Sequence, residues 1–163
     1  MKSIVALFAA SIALGTAQSH AGDQQQFVGV WRFVSDISTK DDGTPAPRAA
    51  ALGDSQGLLI YTADGFMAVN LMPKDRAWSV DSASIEELRS TVDNGVAYSG
   101  RYKVDSAAHT VTHITSTSMD PAYQGKTLVR SYAFKHGDLE LSGTFPWQGQ
   151  TIHFAILWRK AQE

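Results

Sequence analysis

The stretch Gly53–Pro73, GDSQGLLIYTADGFMAVNLMP, decides the fold, because two readings compete for it. Its opening fits G-x-S-x-G, the nucleophile-elbow pattern of serine hydrolases, with Ser55 as nucleophile. An elbow needs a strand before the serine and a helix after it. Here KDDGTPAPRAAALGDSQ, rich in Gly, Pro and Asp, precedes the serine, and the apolar run GLLIYT follows it. GLLIYT and FMAVNLMP flank ADG, and Asp64-Gly65 is a strong hairpin-turn signal because Gly reaches positive φ without steric cost. The stretch predicts a β-hairpin, with Ser55 in the loop before it and Gly53 and Gly57 shaping the approach.

Outward from the hairpin, the same alternation recurs. FVGVWRFVSDIS, Phe27–Ser38, reads as a strand with Gly29, Trp31, Phe33 and Ser35 on one face. SIEELRSTVDNG is the one convincing helix: Ser84 is a candidate N-cap with Glu87 three residues on, and Asn94-Gly95 is a C-terminal stop. VAYSGRYKV, HTVTHITSTS, TLVRSYAF and DLELSG follow as strands separated by DSAA, DPAYQGK and HGD, and TIHFAILWRK closes the chain. The pattern gives eight strands, with one short helix between the third and fourth. Short hairpins between sequence neighbours favour an antiparallel up-and-down barrel over a Greek-key sandwich, and closure removes exposed edges.

The N-terminus reads differently. Lys2, the apolar run Ile4–Leu14 and the small residues Ser19 and Ala21 form a secretory signal-peptide pattern, with cleavage expected after Ala21. Residues 1–21 are then the signal, residues 22–163 one barrel domain, and the destination periplasmic or secreted. No other apolar run approaches the ~20 residues of a membrane-spanning helix. The absence of cysteine excludes disulfides, so the core alone must hold the domain. Loss of Lys2 takes the net charge from −2 to −3, and no basic run remains, so the electrostatic footprint of a nucleic-acid binder is missing.

The two ends carry a resemblance. The first strand holds Gly29-Val30-Trp31 and the last holds Leu157-Trp158-Arg159-Lys160. Together with GLLIYTADGFMAVNLM, YSGRYKVD, TVTHITSTSMDP and LVRSYAF, they resemble the bacterial and fungal lipocalin-like domain family over Phe27–Arg159. The resemblance implies an eight-stranded barrel, with Gly29 and Trp31 as structural residues and Arg159 as the basic residue stacked over Trp31. It is specific for fold and poor for activity: lipocalin-fold proteins include small-molecule binders and a few cyclising or isomerising enzymes.

Within such a barrel, the faces select candidate site residues. His113 shares a face with Val111 and Thr115, and either faces the lumen as an acid–base or orienting group or lies outside. Arg130 shares a face with Tyr132 and Phe134. The inward placement is preferred, because the two aromatics would otherwise be exposed; the alternative buries Val129, Ser131 and Ala133. An inward guanidinium keeps its charge and calls for a partner, such as a ligand carboxylate or phenolate. Tyr98 and Tyr102 share a face of the fourth strand, Tyr61 shares one with Leu59, and Asn70 sits between Ala68 and Met72; each is a cavity candidate or a packing residue. His109 and His113, four apart on a strand, lie roughly 13 Å from each other, too far to share an ion, and neither metal nor cofactor is expected.

The sequence thus leads to a carrier for a small, mainly apolar or aromatic molecule with a polar or anionic group. Its ligand set is Tyr61, Asn70, Tyr98, Tyr102, His113, Arg130 and Tyr132. The alternatives are an isomerase, cyclase or lyase drawing on His113, Tyr98 and Arg130, or a barrel filled by its own side chains.

Overall fold

The computed structural model describes residues 18–46, 54–76 and 78–162. Helix α1 (Gln18–Phe27) leads into β1 (Gly29–Lys40), β2 (Ser55–Tyr61) and β3 (Phe66–Pro73). Helix α2 (Ile85–Asn94) separates these from β4 (Val96–Asp105), β5 (Thr110–Ser118), β6 (Thr127–Lys135), β7 (Asp138–Trp147) and β8 (Gln150–Lys160). A short 3₁₀ turn, Pro121–Tyr123, lies between β5 and β6. Each strand pairs antiparallel with its sequence neighbour, and β8 pairs with β1, so the eight strands close as an up-and-down barrel.

The hairpin at Asp64-Gly65 forms as predicted, with Gly65 at φ 86° and Tyr61 opposite Met67. Ser55 is the first residue of β2, opposite Pro73, rather than a loop residue, and a strand follows it. The serine therefore does not sit at a strand-to-helix turn. The capping box at α2 also forms: Ser84 Oγ accepts from the Glu87 amide and the Glu87 carboxylate accepts from the Ser84 amide.

The barrel has two unlike ends. The tight β2–β3, β4–β5 and β6–β7 turns share one end with α1. That end is closed by an aromatic plug. Phe27, fully buried, meets Tyr61, Tyr132 and Phe134 edge-on at centroid distances of 5.2, 4.9 and 5.2 Å. Trp31 Nε1 donates to the Phe27 carbonyl at 2.7 Å, and Tyr132 Oη donates to Asp23 Oδ2 at 2.8 Å. Phe27 therefore ends a helix instead of opening the first strand. Gly29, at φ 137°, makes the change of direction, a conformation a side chain resists. The position expected for signal cleavage falls within α1, and residues 1–17 of the expected signal lie outside the described residues.

The stacking partner of Trp31 is Lys160, whose Nζ lies 5.2 Å from the ring centroid. Arg159 instead points outward and is bidentate to Asp138, at 3.1 and 2.8 Å. Strand parity explains the difference: Ile152 and Trp158 are buried, so the residue two beyond Trp158 continues that face.

Candidate functional site

The inward face of each strand follows from its period-two alternation, and one departure shapes the site. In β1 the pairing with β8 shifts between Phe33 and Ser35, so Val34 is bulged and the face reverses. Trp31 and Phe33 face the core before the bulge; Asp36 and Ser38 face the interior after it. Ser35, expected to share a face with Trp31 and Phe33, is displaced to the other side. Ser38 Oγ donates to Asp36 Oδ2 at 2.8 Å.

Toward the open end, these residues border a cavity of about 70 Å³. Its apolar wall includes Leu59, Val69, Leu71, Leu141, Phe154 and Ile156, and its polar groups come from Asp36, Ser38, Tyr98, His113, Tyr123 and Arg130. Trp158 also lines it, and its buried indole N–H has no acceptor among the described residues. At roughly 30 Å³ per water the space holds about two waters, and it is about half the ~150 Å³ of an apolar cavity that takes a benzene ring. Tyr123 and Phe145 lead from this cavity into a wider cleft of about 1240 Å³ bordered by α2, the 3₁₀ turn and the end of β7.

His113 is the most buried of the titratable residues that line the cavity. Its Nε2 is 2.7 Å from Tyr61 Oη and its Nδ1 is 2.9 Å from Tyr98 Oη. Burial, reinforced by the positive charge of Arg130, holds the imidazole well below its usual value of 6.5, so it is neutral near pH 7. Burial raises both phenols, Tyr61 well above the ordinary 10.0, while Arg130 opposes the rise at each. Tyr61, His113 and Tyr98 therefore form a chain of three neutral groups. It runs from the dry core beside the plug to the cavity wall.

Arg130 occupies the preferred inward position, on the face of Tyr132 and Phe134, while Val129 is 59% exposed on the other. Its guanidinium lies 5.5 Å from the centroid of Phe154. It makes no ion pair among the described residues.

The structure thus brings Tyr98, His113 and Arg130 together at the cavity, with Tyr61 directly behind His113. Tyr102 and Tyr132 lie elsewhere. Tyr102 Oη donates to the Thr62 carbonyl at 3.0 Å and Tyr132 packs on Phe27, so both belong to the closed end. Asn70 lies on the outer wall: β3 turns Met67, Val69 and Leu71 inward, and Asn70 is exposed opposite Leu58. Of the remaining histidines, His109 and His136 occupy turns at positive φ, and His153 pairs with Asp41 on the exterior at 2.8 Å.

Sequence reasoning missed Asp36, Tyr123, Phe154 and Trp158. Phe154 and Trp158 were within reach, since they share the parity of the apolar Ile152 and Ile156 in β8. Asp36 was not, because nothing in FVSDIS marks the bulge at Val34. Tyr123 is set at the mouth by tertiary bonds. The single hydroxyl proton of Thr115 is shared between the Tyr123 and Lys126 carbonyls, and its Oγ1 accepts from the Lys126 amide, tying the 3₁₀ turn to β5.

No curated protein matches the sequence. Among solved structures, the chain is similar to a siderocalin, Ex-FABP, described as functioning through dual ligand specificities. The identity is 12%, the TM-score 0.35, and the match covers 83% of this chain and 71% of that one. The lipocalin-like domain model matches residues 28–161, from the residue after Phe27 to the end of the barrel. The closed eight-stranded barrel and this match over most of its length agree: the chain belongs to the lipocalin-like domain family.

Proposed function

We propose that the protein is an exported carrier that holds a small aromatic or apolar molecule bearing an anionic group in the open-end cavity. The observation that carries this reading is Arg130. A permanently charged guanidinium on an otherwise largely apolar wall, with no ion-pair partner among the described residues, offers an anion its counter-charge. Phe154 beneath it offers a face for an aromatic ring. The volume limits the ligand to one ring seated partly in the cavity, with the remainder in the outer cleft past Tyr123 and Phe145. Export is supported by Lys2, the apolar run after it and the small residues at Ser19 and Ala21.

Calorimetric titration with benzoate tests the reading. One equivalent should bind, and Arg130→Met should weaken binding by roughly tenfold or more, the scale of a charge-assisted hydrogen bond. Benzoate binding that is absent, or unchanged in Arg130→Met, would reject it.

A second reading is enzymatic and rests on the contact of Tyr98 with His113. A phenol on the cavity wall backed by an imidazole can deliver a proton to a substrate, while Arg130 stabilises the negative charge that develops. Mass analysis separates the two: a carrier returns its ligand unchanged, and an enzyme returns an isomer or a cleaved product.

A further inference from the structure

The chain Tyr61–His113–Tyr98 contains three exchangeable protons and two hydrogen bonds. A neutral imidazole supplies one N–H and one lone pair, and each phenol one O–H. One of the three protons is therefore left unused within the chain, and two proton orders are possible.

In the first order, Tyr98 donates to Nδ1 and Nε2–H donates to Tyr61. The Tyr61 hydroxyl proton is then left over. Tyr61 is 1% exposed and its Oη makes no other hydrogen bond among the described residues. This order strands a donor in the dry core, the arrangement that buried polar groups avoid. In the second order, Tyr61 donates to Nε2 and Nδ1–H donates to Tyr98. The proton left over is that of Tyr98, which lines the cavity, where a water or a ligand can accept it. The closed end of the barrel thus decides the polarity of a group at the open end.

Arg130 and Trp158 add further donors to the cavity wall. Arg130 can only donate. The indole N–H of Trp158 can only donate, and it has no acceptor among the described residues. Asp36 is the acceptor among the charged lining residues, and Ser38 donates to its Oδ2.

We propose that Tyr61 and His113 are positioning residues that fix Tyr98 as a hydrogen-bond donor into the cavity. With Arg130, Tyr98 commits the site to ligands whose polar group is an acceptor, a carboxylate or a comparable oxyanion. This rests on the cavity being a small-molecule site, and it adds what the anion meets there besides a charge. A ligand that turns N–H or O–H donors toward Tyr98 and Arg130 meets donors there and is disfavoured, the acceptor Asp36 belonging to β1 on another part of the wall.

The test has two independent arms. The first needs no ligand. Nitrogen-15 NMR of the His113 ring in the full protein at neutral pH reports which nitrogen carries the proton. The expected result is Nδ1–H with a bare Nε2; Nε2–H overturns the proposal. In Tyr61→Phe the lock is gone, and the ring should shift to a mixture of tautomers, whereas a merely structural Tyr61 would leave the tautomer unchanged.

The second arm titrates benzoate and aniline, rings of one size carrying an acceptor or a neutral amine, into wild type, Tyr98→Phe and Arg130→Met. Benzoate should bind and aniline should not. Tyr98→Phe should weaken benzoate roughly tenfold while the fold, followed by circular dichroism, is retained. Benzoate binding that survives Tyr98→Phe but is lost in Arg130→Met overturns the proposal and leaves the carrier reading standing. Aniline binding as tightly as benzoate also overturns it. If neither compound binds wild type, the carrier reading fails, and the ring tautomer alone still decides the proton order.

Discussion

The phenol of Tyr61 and the imidazole of His113 meet at 2.7 Å across the middle of the barrel, and the pair divides the interior into two compartments. On one side lie Phe27, Tyr102, Tyr132 and Phe134, packed as an aromatic plug. On the other lies the cavity with Tyr98 and Arg130. Stability therefore concentrates at the closed end and ligand chemistry at the open end. Substitutions at the two ends should be separable by their readouts.

The plug gives the first prediction. Phe27 is fully buried against three edge-on rings and accepts the Trp31 indole N–H through its carbonyl. Phe27→Ala should cost about 3–5 kcal/mol in urea unfolding, the range for deleting a buried aromatic ring. A chain beginning at residue 28, where the family match begins, loses the ring and helix together and should be less stable still. Equal stability of the two lengths would show that α1 contributes nothing to the barrel.

Close backbone approach gives the second. Gly100 lies where β4 shifts register against β5, and a Cβ there would stand 2.0 Å from the Ile114 carbonyl oxygen. That neighbour is ladder backbone and cannot swing aside. Gly100→Ala should lose at least about 3 kcal/mol, at the upper end of overpacking costs, although Ala is the smallest possible addition. Gly125, with open space around its Cβ position, is the control for crowding; its φ of 71° leaves it only the cost of the left-handed backbone.

How much of this was legible in the sequence depends on where the pleat is interrupted. Residues two apart keep one face wherever no extra residue lies between them. Val111, His113 and Thr115 share an inner face, as do Tyr98, Gly100 and Tyr102, and as do Arg130, Tyr132 and Phe134. Period two needs only one anchored residue to set a whole strand. Asn70, a cavity candidate from its place between Ala68 and Met72, lies outside. The register counted from Asp64-Gly65 pairs Val69 with the buried Leu59 and puts Asn70 outside. Asp36 was illegible because a one-residue bulge reverses the face with no composition signal. The division of the interior into plug and cavity was also hidden, since Tyr61, Tyr98, Tyr102 and Tyr132 are one residue type with different depths along the barrel axis.

The Trp31 contact gives the third prediction. Lys160 lays its charged end over the ring, while the neighbouring Arg159 is held outward by Asp138. Lys160→Ala should lose about 0.5–1 kcal/mol of cation–π attraction together with the cover its stem gives the ring. Arg159→Ala breaks an exposed ion pair and should cost less, with the difference from wild type vanishing in concentrated salt. Melting temperatures in the reverse order would restore Arg159 as the residue that matters to Trp31.

The last prediction concerns acid. His113 is neutral in the folded barrel because burial and Arg130 hold its pKa well below 6.5, whereas in the unfolded chain it titrates near that value. As the pH falls below about 6.5, the unfolded chain takes up a proton that the folded chain refuses. Protonation then favours unfolding, and folded stability declines with falling pH until the folded-state pKa is reached. The slope should approach about 1.4 kcal/mol per pH unit, the limit for one proton. The carboxylates with lowered pKa values, Asp42, Glu87 and Asp138, act in a lower window, below their ordinary values of 3.8 to 4.5. The interval from pH 6.5 to 5 therefore isolates the histidine among these groups. His113→Gln keeps a hydrogen-bonding side chain but cannot titrate. Its stability, measured by urea unfolding, should start lower than that of wild type at pH 7.5 and change far less between pH 6.5 and 5. Parallel curves for the two proteins across that interval would mean that His113 does not carry the acid sensitivity. Its neutral state between Tyr61 and Tyr98 would then have to be abandoned.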